Sequence, residues 1–491
     1  MIIGKTGEML PETFEEWVEI HGEPEYEDSY AAVEDSFRVK IIDCPQISYE
    51  DEADSIGLDK CVYETDKGVK RINYANMSTA IARANNCIYH KGMFYTPDGS
   101  ITSEFMRQEI TACLEAAGWT DKLDAPTTSI LNTVRDKFNR EDFRADINII
   151  PFKNGDLHIN SEVWEFRRGE KVHVPYRLNV DFIEEDLPMP WFSKWVNDVF
   201  VKDDITTLQE ILGYCLVPTT AAQEAFILVG EAGVGKSILT QLLSEIFGNA
   251  YQEISINELA GNRFALPMVE NRLVVYDDDL QTEALSETGV FKKLVTASQP
   301  IKAERKYEQP YNFLPYCKVI ANSNSMLKTL YDDSDGFYRR LHPLHVKDKD
   351  PNRRNISNMG KMVCNEKNQI VRWALKGLVR VMTNNWQIYW SKRSKDFMGA
   401  EKSKGVHFNE FFEIVFEKDA SGVVTSKQIF DVYKSWARAN GINALSERRL
   451  YNWIGANAEK LKIAKAQIGE KRLKGYQGYK IRKEWSQGIV L

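Results

Sequence analysis

The chain has 491 residues, 27% of them charged, and a net charge of −8, so it is too long for one core and its bulk charge gives no sign of a nucleic-acid binder. Seven scattered cysteines without a CxxC pair argue against a zinc ribbon and for reduced thiols in a cytoplasmic protein. No basic stretch with an apolar core opens the chain and no apolar run approaches the ~18 residues of a membrane span, so neither a signal peptide nor a membrane partner is expected.

Charge is unevenly spread. Residues 1–66 hold 19 Asp+Glu against 4 Lys+Arg, whereas residues 391–491 hold 20 Lys+Arg against 11 Asp+Glu. An acidic head and a basic tail with different partners follow, or two solvated surfaces. The head reads as helical and carries no interpretable motif. Residues 86–95 alternate as a hairpin turning near Lys91 and Gly92, and helical patterns follow at 103–117 and 127–138. No paired carboxylates with a histidine stand out here. Residues 1–146 therefore read as an α+β domain for assembly or DNA binding. A collar is expected over 147–212, with a strand at 147–150 that Pro151 ends or marks as an edge, and helices around Trp191 and at 208–214.

The apolar run 225–229 leads into Gly-Glu-Ala-Gly-Val-Gly-Lys-Ser at 230–237, and residues 238–247 leave it with helical spacing. Strand, glycine loop and helix in that order form a P-loop pattern. Gly230, Gly233 and Gly235 let backbone N–H groups face phosphate oxygens, and the helix N-terminus adds partial positive charge. Lys236 should reach the β and γ phosphates of ATP, and the Ser237 hydroxyl should ligate Mg2+. A short strand at 272–276 ends in Asp277, Asp278 and Asp279, the makings of a Walker B site. One carboxylate would hold Mg2+ through water and its neighbour would polarise the attacking water; Asp277 and Asp278 are the candidates, Asp278 the first choice for catalysis. A second strand, 317–321, ends in Asn322-Ser323-Asn324, and a polar amide at that end, Asn324 as the chosen candidate, can bond the γ-phosphate or its water.

Between these strands, residues 301–307 are basic and aromatic. Lys302, Arg305, Lys306 and Tyr307 are the candidates for gripping a phosphate backbone, against a plain surface loop. Arg339 and Arg340 precede a further strand, and either could be offered to a neighbour's nucleotide. His342 and His345 in that strand read as packing residues. In 405–491, one helix opens behind Thr425 or Ser426, a second behind Ser446, and a basic glycine-bearing ribbon follows. That is the outline of a winged helix, with Arg448 and Arg449 on the helix and Lys471, Arg472 and Lys474 on the wing as DNA contacts; ring packing is the rival role.

The order of Walker A, Walker B, basic hairpin, Asn-tipped strand and Arg-Arg-Leu resembles the superfamily 3 helicases. More narrowly it resembles the phage/plasmid primase-helicase, poxvirus NTPase-like family of AAA+ proteins, in the layout of replication proteins of Gram-positive phages and staphylococcal islands. Further matches are Asn154-Gly155, Gly213-Tyr214 and residues 370–378. The likeness runs from about 147 to 385 and fairly well into the C-terminus, and it implies host replication proteins as partners of the N-terminal domain, to be tested. It departs in carrying three aspartates and in lacking a proline soon after Asn324, and no primase module is recognisable. The resemblance implies an α/β AAA+ motor over 213–395, a homo-hexamer, ATP hydrolysis between subunits, and movement on single-stranded or forked DNA, usually 3′ to 5′. The rival functions are an origin-duplex initiator that uses ATP as an assembly switch, and a small-molecule kinase.

Overall fold

The computed structural model describes residues 2–3, 9–10, 39–44, 56–160, 163–280, 288–306, 309–324, 335–349, 356–404, 407–440, 444, 446–456, 464–468 and 473–486. Most of the acidic head, Tyr307, Lys471 and Arg472 lie outside them. The chain divides into two units: Met1–Thr282 with Gly289–Leu327 and Arg340–Ser391, and Glu283–Thr288 with Lys328–Arg339 and Lys392–Leu491.

The first unit begins with strand β1 (Val39–Asp43). Helix α1 (Tyr74–Ala84) follows, opened by the Asn73 side chain accepting from the Asn76 N–H. Strands β2 (Ile88–His90) and β3 (Met93–Thr96) form the expected hairpin. Lys91 and Gly92 both take positive φ, 42° and 90°, at its turn. Helix α2 (Ser103–Ala116) is capped by Thr102. Helix α3 (Asp124–Lys137) starts earlier than its sequence pattern, because Pro126 lies in the first turn, where its missing N–H has no partner to lose. Met77, Ile81, Met106, Ile110, Ile130 and Val134 give these helices a core of their own.

Strands β4 (Ile149–Phe152), β5 (Gly155–His158) and β6 (Trp164–Arg168) pair antiparallel, and β1 lies parallel on β6. Pro151 does not end β4. It sits opposite Asp156 on the sheet edge, where no ladder donor is required of it.

Helices α4 (Pro190–Val199) and α5 (Lys202–Cys215) precede strand β7 (Ala225–Val229) and helix α6 (Ser237–Phe247). Strand β8 (Tyr251–Glu253), helix α7 (Ile256–Gly261) and strand β9 (Val274–Asp277) come next. A hairpin of β10 (Ile301–Ala303) and β11 (Tyr311–Phe313) follows. Strands β12 (Lys318–Ser323) and β13 (Leu341–His345) and helix α8 (Lys367–Thr383) complete this unit's frame. The order β8-β9-β12-β7-β13 is parallel throughout, so the expected α/β class holds. Every residue of β7 is buried, as a central strand covered on both faces requires.

One apolar cluster runs from Ile150 through Trp195, Leu212, Phe226 and Ile320 to Leu378. Collar and motor therefore share a core, and the expected 212/213 boundary is no break in packing. Where α5 crosses α8 the backbones touch through glycines. A Cβ on Gly213 would fall 2.3 Å from the Ala374 carbonyl oxygen, and one on Gly377 2.3 Å from that of Gln209.

The second unit contains helix α9 (His407–Val415), strand β14 (Phe416–Thr425), helices α10 (Ser426–Ala439) and α11 (Glu447–Ala456), and strands β15 (Ala464–Ile468) and β16 (Leu473–Ile481). Thr425, not Ser426, caps α10, in a reciprocal capping box with Gln428. The three strands form an antiparallel sheet in the order β14-β16-β15, over a core that includes Phe411, Tyr433, Trp436 and Leu450. Among the described residues no helix is long and apolar enough to cross a membrane.

Candidate functional site

Strand β7 delivers the chain to the glycine loop at the C-terminal edge of the parallel sheet, where ligands of open α/β sheets bind. A Cβ on Gly230 (φ 156°) would lie 2.2 Å from Val346 Cγ2, so no larger residue fits. Gly233 (φ 79°) and Gly235 (φ 103°) take backbone angles that side chains disfavour. Trp195, which the sequence reading did not single out for the site, donates from its indole nitrogen to the Gly235 carbonyl at 3.0 Å and ties the loop to α4.

Lys236 leaves this loop almost buried, 9% exposed. Its ammonium donates to the Gly230 carbonyl, to the Glu231 carbonyl at 3.1 Å, to the Ser323 carbonyl at 3.4 Å and to Asn324 Oδ1 at 3.5 Å. Burial lowers its pKa, and Asp278 and Asp279 act against that. A cation held by neutral oxygens in a low-dielectric site is stabilised by any anion that reaches it. Ser237 is exposed at the first residue of α6. These donors fit a bound phosphate chain, with a hydroxyl and a carboxylate left for a hard divalent cation.

The strand ends separate the aspartates. Asp277 is buried, and its Oδ2 accepts from the Ile256 N–H at 2.8 Å, holding the first turn of α7. Burial raises its pKa, opposed by backbone N–H groups of Ile256 and Asp279. Asp278 is half-buried, and its Oδ1 accepts from Thr240 Oγ1 at 2.7 Å and from Asn322 Nδ2 at 2.7 Å. Asn322 is fixed in turn by the Tyr276 hydroxyl, which donates to its Oδ1 at 2.8 Å. The sequence reading placed Asn322 and Asn324 at this strand end and chose Asn324 for the site; it did not single out Thr240 or Tyr276.

Arg340 offers its carbonyl to the Ala225 N–H at 2.7 Å. Its backbone thus sits at the start of β7, the end opposite the glycine loop, about 15 Å away along the strand. Arg339 is exposed. Arg340, just ahead of β13, is thus not brought to Lys236 by that strand. In the β10–β11 hairpin, Lys302 and Lys306 are exposed. Arg305 does not stand out toward solvent beside them: its Nη2 donates to Glu270 Oε2 at 2.7 Å and its guanidinium covers the Tyr311 ring at 4.7 Å. Lys302 and Lys306 are thus the hairpin's fully outward cations, and Arg305 is tied to Glu270 and Tyr311. In the second unit Arg448 is exposed on α11, Arg449 lies on the same helix, and Lys474 is exposed on β16. His342 is fully buried, bonded through Nδ1 to Glu224 at 2.8 Å, as a packing residue would be.

A protein-family model described as a family of unknown function (DUF5906) matches residues 228–340, from the end of β7 to the start of β13. A protein of Acanthamoeba polyphaga mimivirus named "putative helicase" is 30% identical over 209 residues, 39% of this chain and 21% of that protein. Among solved structures, the apo C-terminal region of NrS-1 aligns at 13% identity and TM-score 0.48, covering 83% of this chain and 100% of that one. An A-form apo structure of the same region aligns at 14% identity and TM-score 0.46, covering 79% and 86%. Over 39% of its length, and over about a fifth of the relative's, the chain is thus similar to a viral protein that bears a helicase name.

Proposed function

We propose that this chain is an ATP-dependent replicative DNA helicase of a mobile genetic element. In this reading its first unit is a superfamily 3 AAA+ P-loop motor and its second a winged helix. The observation that carries it is the junction at the sheet's C-terminal edge. There the buried Lys236 ammonium lies among neutral oxygens, and Asp278 is held by Thr240 and Asn322.

Lys236 and the loop's N–H groups bind the β and γ phosphates of ATP. Ser237 and Asp278 would hold Mg2+, which would supply neutralisation of the phosphate charge during transfer. Asp278 orients the attacking water, with its carboxylate kept in place by the bonds at Oδ1. Asn324, beside Lys236, bonds the γ-phosphate side of the reaction. Asp277 keeps α7 against β9, so the catalytic work falls to its neighbour. Arg339 or Arg340 completes the site of an adjacent subunit in a homo-hexameric ring.

Lys302 and Lys306 track one strand, probed by translocation 3′ to 5′. Arg448, Arg449, Lys471, Arg472 and Lys474 bind duplex. The test is ATP hydrolysis and strand displacement on a forked substrate by wild type and Lys236→Ala. ATP hydrolysis and fork unwinding, both lost in the variant, are expected. ATP-dependent assembly on duplex without strand displacement by wild type would overturn the helicase reading in favour of an initiator.

A further inference from the structure

Nine non-glycine residues take left-handed backbone among the described residues, and four of them line one cavity: Lys91 (φ 42°), Gln223 (φ 57°), Asn271 (φ 59°) and Ala297 (φ 40°). Such backbone persists only where its surroundings hold it, and it gathers at ligand sites. At Asn271 the hold is visible. Its Nδ2 donates to the Tyr95 hydroxyl at 2.8 Å and its Oδ1 accepts from the Tyr316 hydroxyl at 3.3 Å. The cavity, about 470 Å³, lies within the first unit and shares no lining residue with the loop at Lys236. Its volume is within the roughly 300–1,000 Å³ of small-ligand sites.

The lining is aromatic and its charge is positive. Tyr95 packs on Phe143 with ring centroids 4.6 Å apart, and Tyr316 adds a further ring. Glu270 is the one carboxylate in the lining, and it is already engaged by Arg305 and Tyr311, each at 2.7 Å. Lys91 and Arg144 are exposed, and neither enters an ion pair among the described residues. The β10–β11 hairpin abuts this place: a Cβ on Gly92 would lie 3.1 Å from Arg305 Nη1. Leu314, 57% exposed, adds an apolar surface to the lining.

We infer that the cavity takes one unpaired nucleotide of a single strand, its base against Phe143 and Tyr316 and its phosphate held by Lys91 and Arg144. Aromatic rings accept any base face, and cations at the rim accept any phosphate, so the site is sequence-tolerant. The abutting hairpin, with its exposed Lys302 and Lys306, favours a continuous strand over a free nucleotide. This inference rests on the strand-binding part of the proposed function.

The full chain is irradiated with an oligothymidylate carrying 5-iododeoxyuridine, and the cross-linked peptides are mapped. Cross-links at Phe143, Leu314 or Tyr316 are expected, competed by oligothymidylate at least about tenfold better than by an abasic strand of equal length. Lys91→Asn with Arg144→Ala should weaken strand binding about fivefold to tenfold and leave DNA-free ATP turnover unchanged; asparagine tolerates the left-handed backbone. Phe143→Leu, which keeps apolar volume, should abolish the base-dependent advantage. A strand that binds and cross-links only outside the cavity overturns this inference and leaves the helicase reading standing. Efficient competition by thymidine monophosphate at the cavity assigns it to a free nucleotide and overturns the strand. Failure of wild type to bind any single strand overturns both.

Discussion

The division of labour between Asp277 and Asp278 can be tested by replacing each with asparagine. Asp277→Asn removes a buried charge whose carboxylate accepts the Ile256 N–H at 2.8 Å and also faces the Asp279 N–H. Hydrogen bonds to a charged acceptor contribute about 1.5–3 kcal/mol against about 1 for neutral ones. Two weakened bonds therefore cost roughly 2 kcal/mol, offset in part because burial already disfavours the charge. A net loss of about 1–2 kcal/mol should lower the melting temperature by roughly 2–5 °C. Turnover should stay within about threefold of wild type. Asp278→Asn should behave in the opposite way. The residue is half-buried, and an amide oxygen can still accept from Thr240 and Asn322, so stability should move by less than about 0.5 kcal/mol. Turnover should fall at least about 100-fold, some 2.7 kcal/mol of barrier, with nucleotide binding retained. Thermal melts, a phosphate-release assay and fluorescent-nucleotide titration read all three quantities. A stable Asp277→Asn protein that has lost turnover, beside an Asp278→Asn protein that hydrolyses ATP normally, would refute the assignment.

Lys302→Ala with Lys306→Ala should flatten the salt dependence of single-strand binding by about two counterions' worth of slope and stop unwinding while sparing DNA-free ATPase, as titrations in salt would show. Arg305→Ala should instead lower stability by about 1–3 kcal/mol, since it strands Glu270 beside its remaining partner Tyr311; a melt without any shift would return Arg305 to the strand-contact set. The Glu366 carboxylate accepts from the Trp191 and Phe192 N–H groups at 3.0 and 2.7 Å, and burial pushes its pKa from 4.5 up to about 7. The folded state therefore holds a proton that the unfolded state releases, and its contribution is complete below pH 4.5 and lost as pH rises through about 7. Relative to Glu366→Gln, wild type should lose roughly 3 kcal/mol between pH 4.5 and 8 in denaturant titrations, and a constant difference would refute this. Gly213→Ala should cost about 2–3 kcal/mol or more by forcing α5 off the α8 backbone, read as a lowered midpoint in urea.

The strand, glycine loop and helix at 225–247 were legible because each depends on neighbours in sequence. A fully apolar run specifies a buried strand, glycine spacing permits the turn, and 3.6-residue periodicity specifies α6. The β2–β3 hairpin, the β10–β11 hairpin and α10 behind Thr425 were legible for the same local reasons. The likeness in motif order suggested what such pieces do together. What the chain alone left open concerned partners brought from far along it. Asp277 and Asp278 are adjacent acids in sequence, and only the bonds from Ile256 to one and from Thr240 and Asn322 to the other distinguish them. Arg305 belonged to a basic run until Glu270 and the Tyr311 ring were placed against it. The collar and motor read as separate segments along the chain, yet their apolar faces meet in one core. Local patterns set where each element forms and which face is apolar. Which carboxylate is satisfied by backbone, which cation is neutralised and which cavity remains are decided by contacts between distant segments, and those follow from the packing of the whole sheet and its helices.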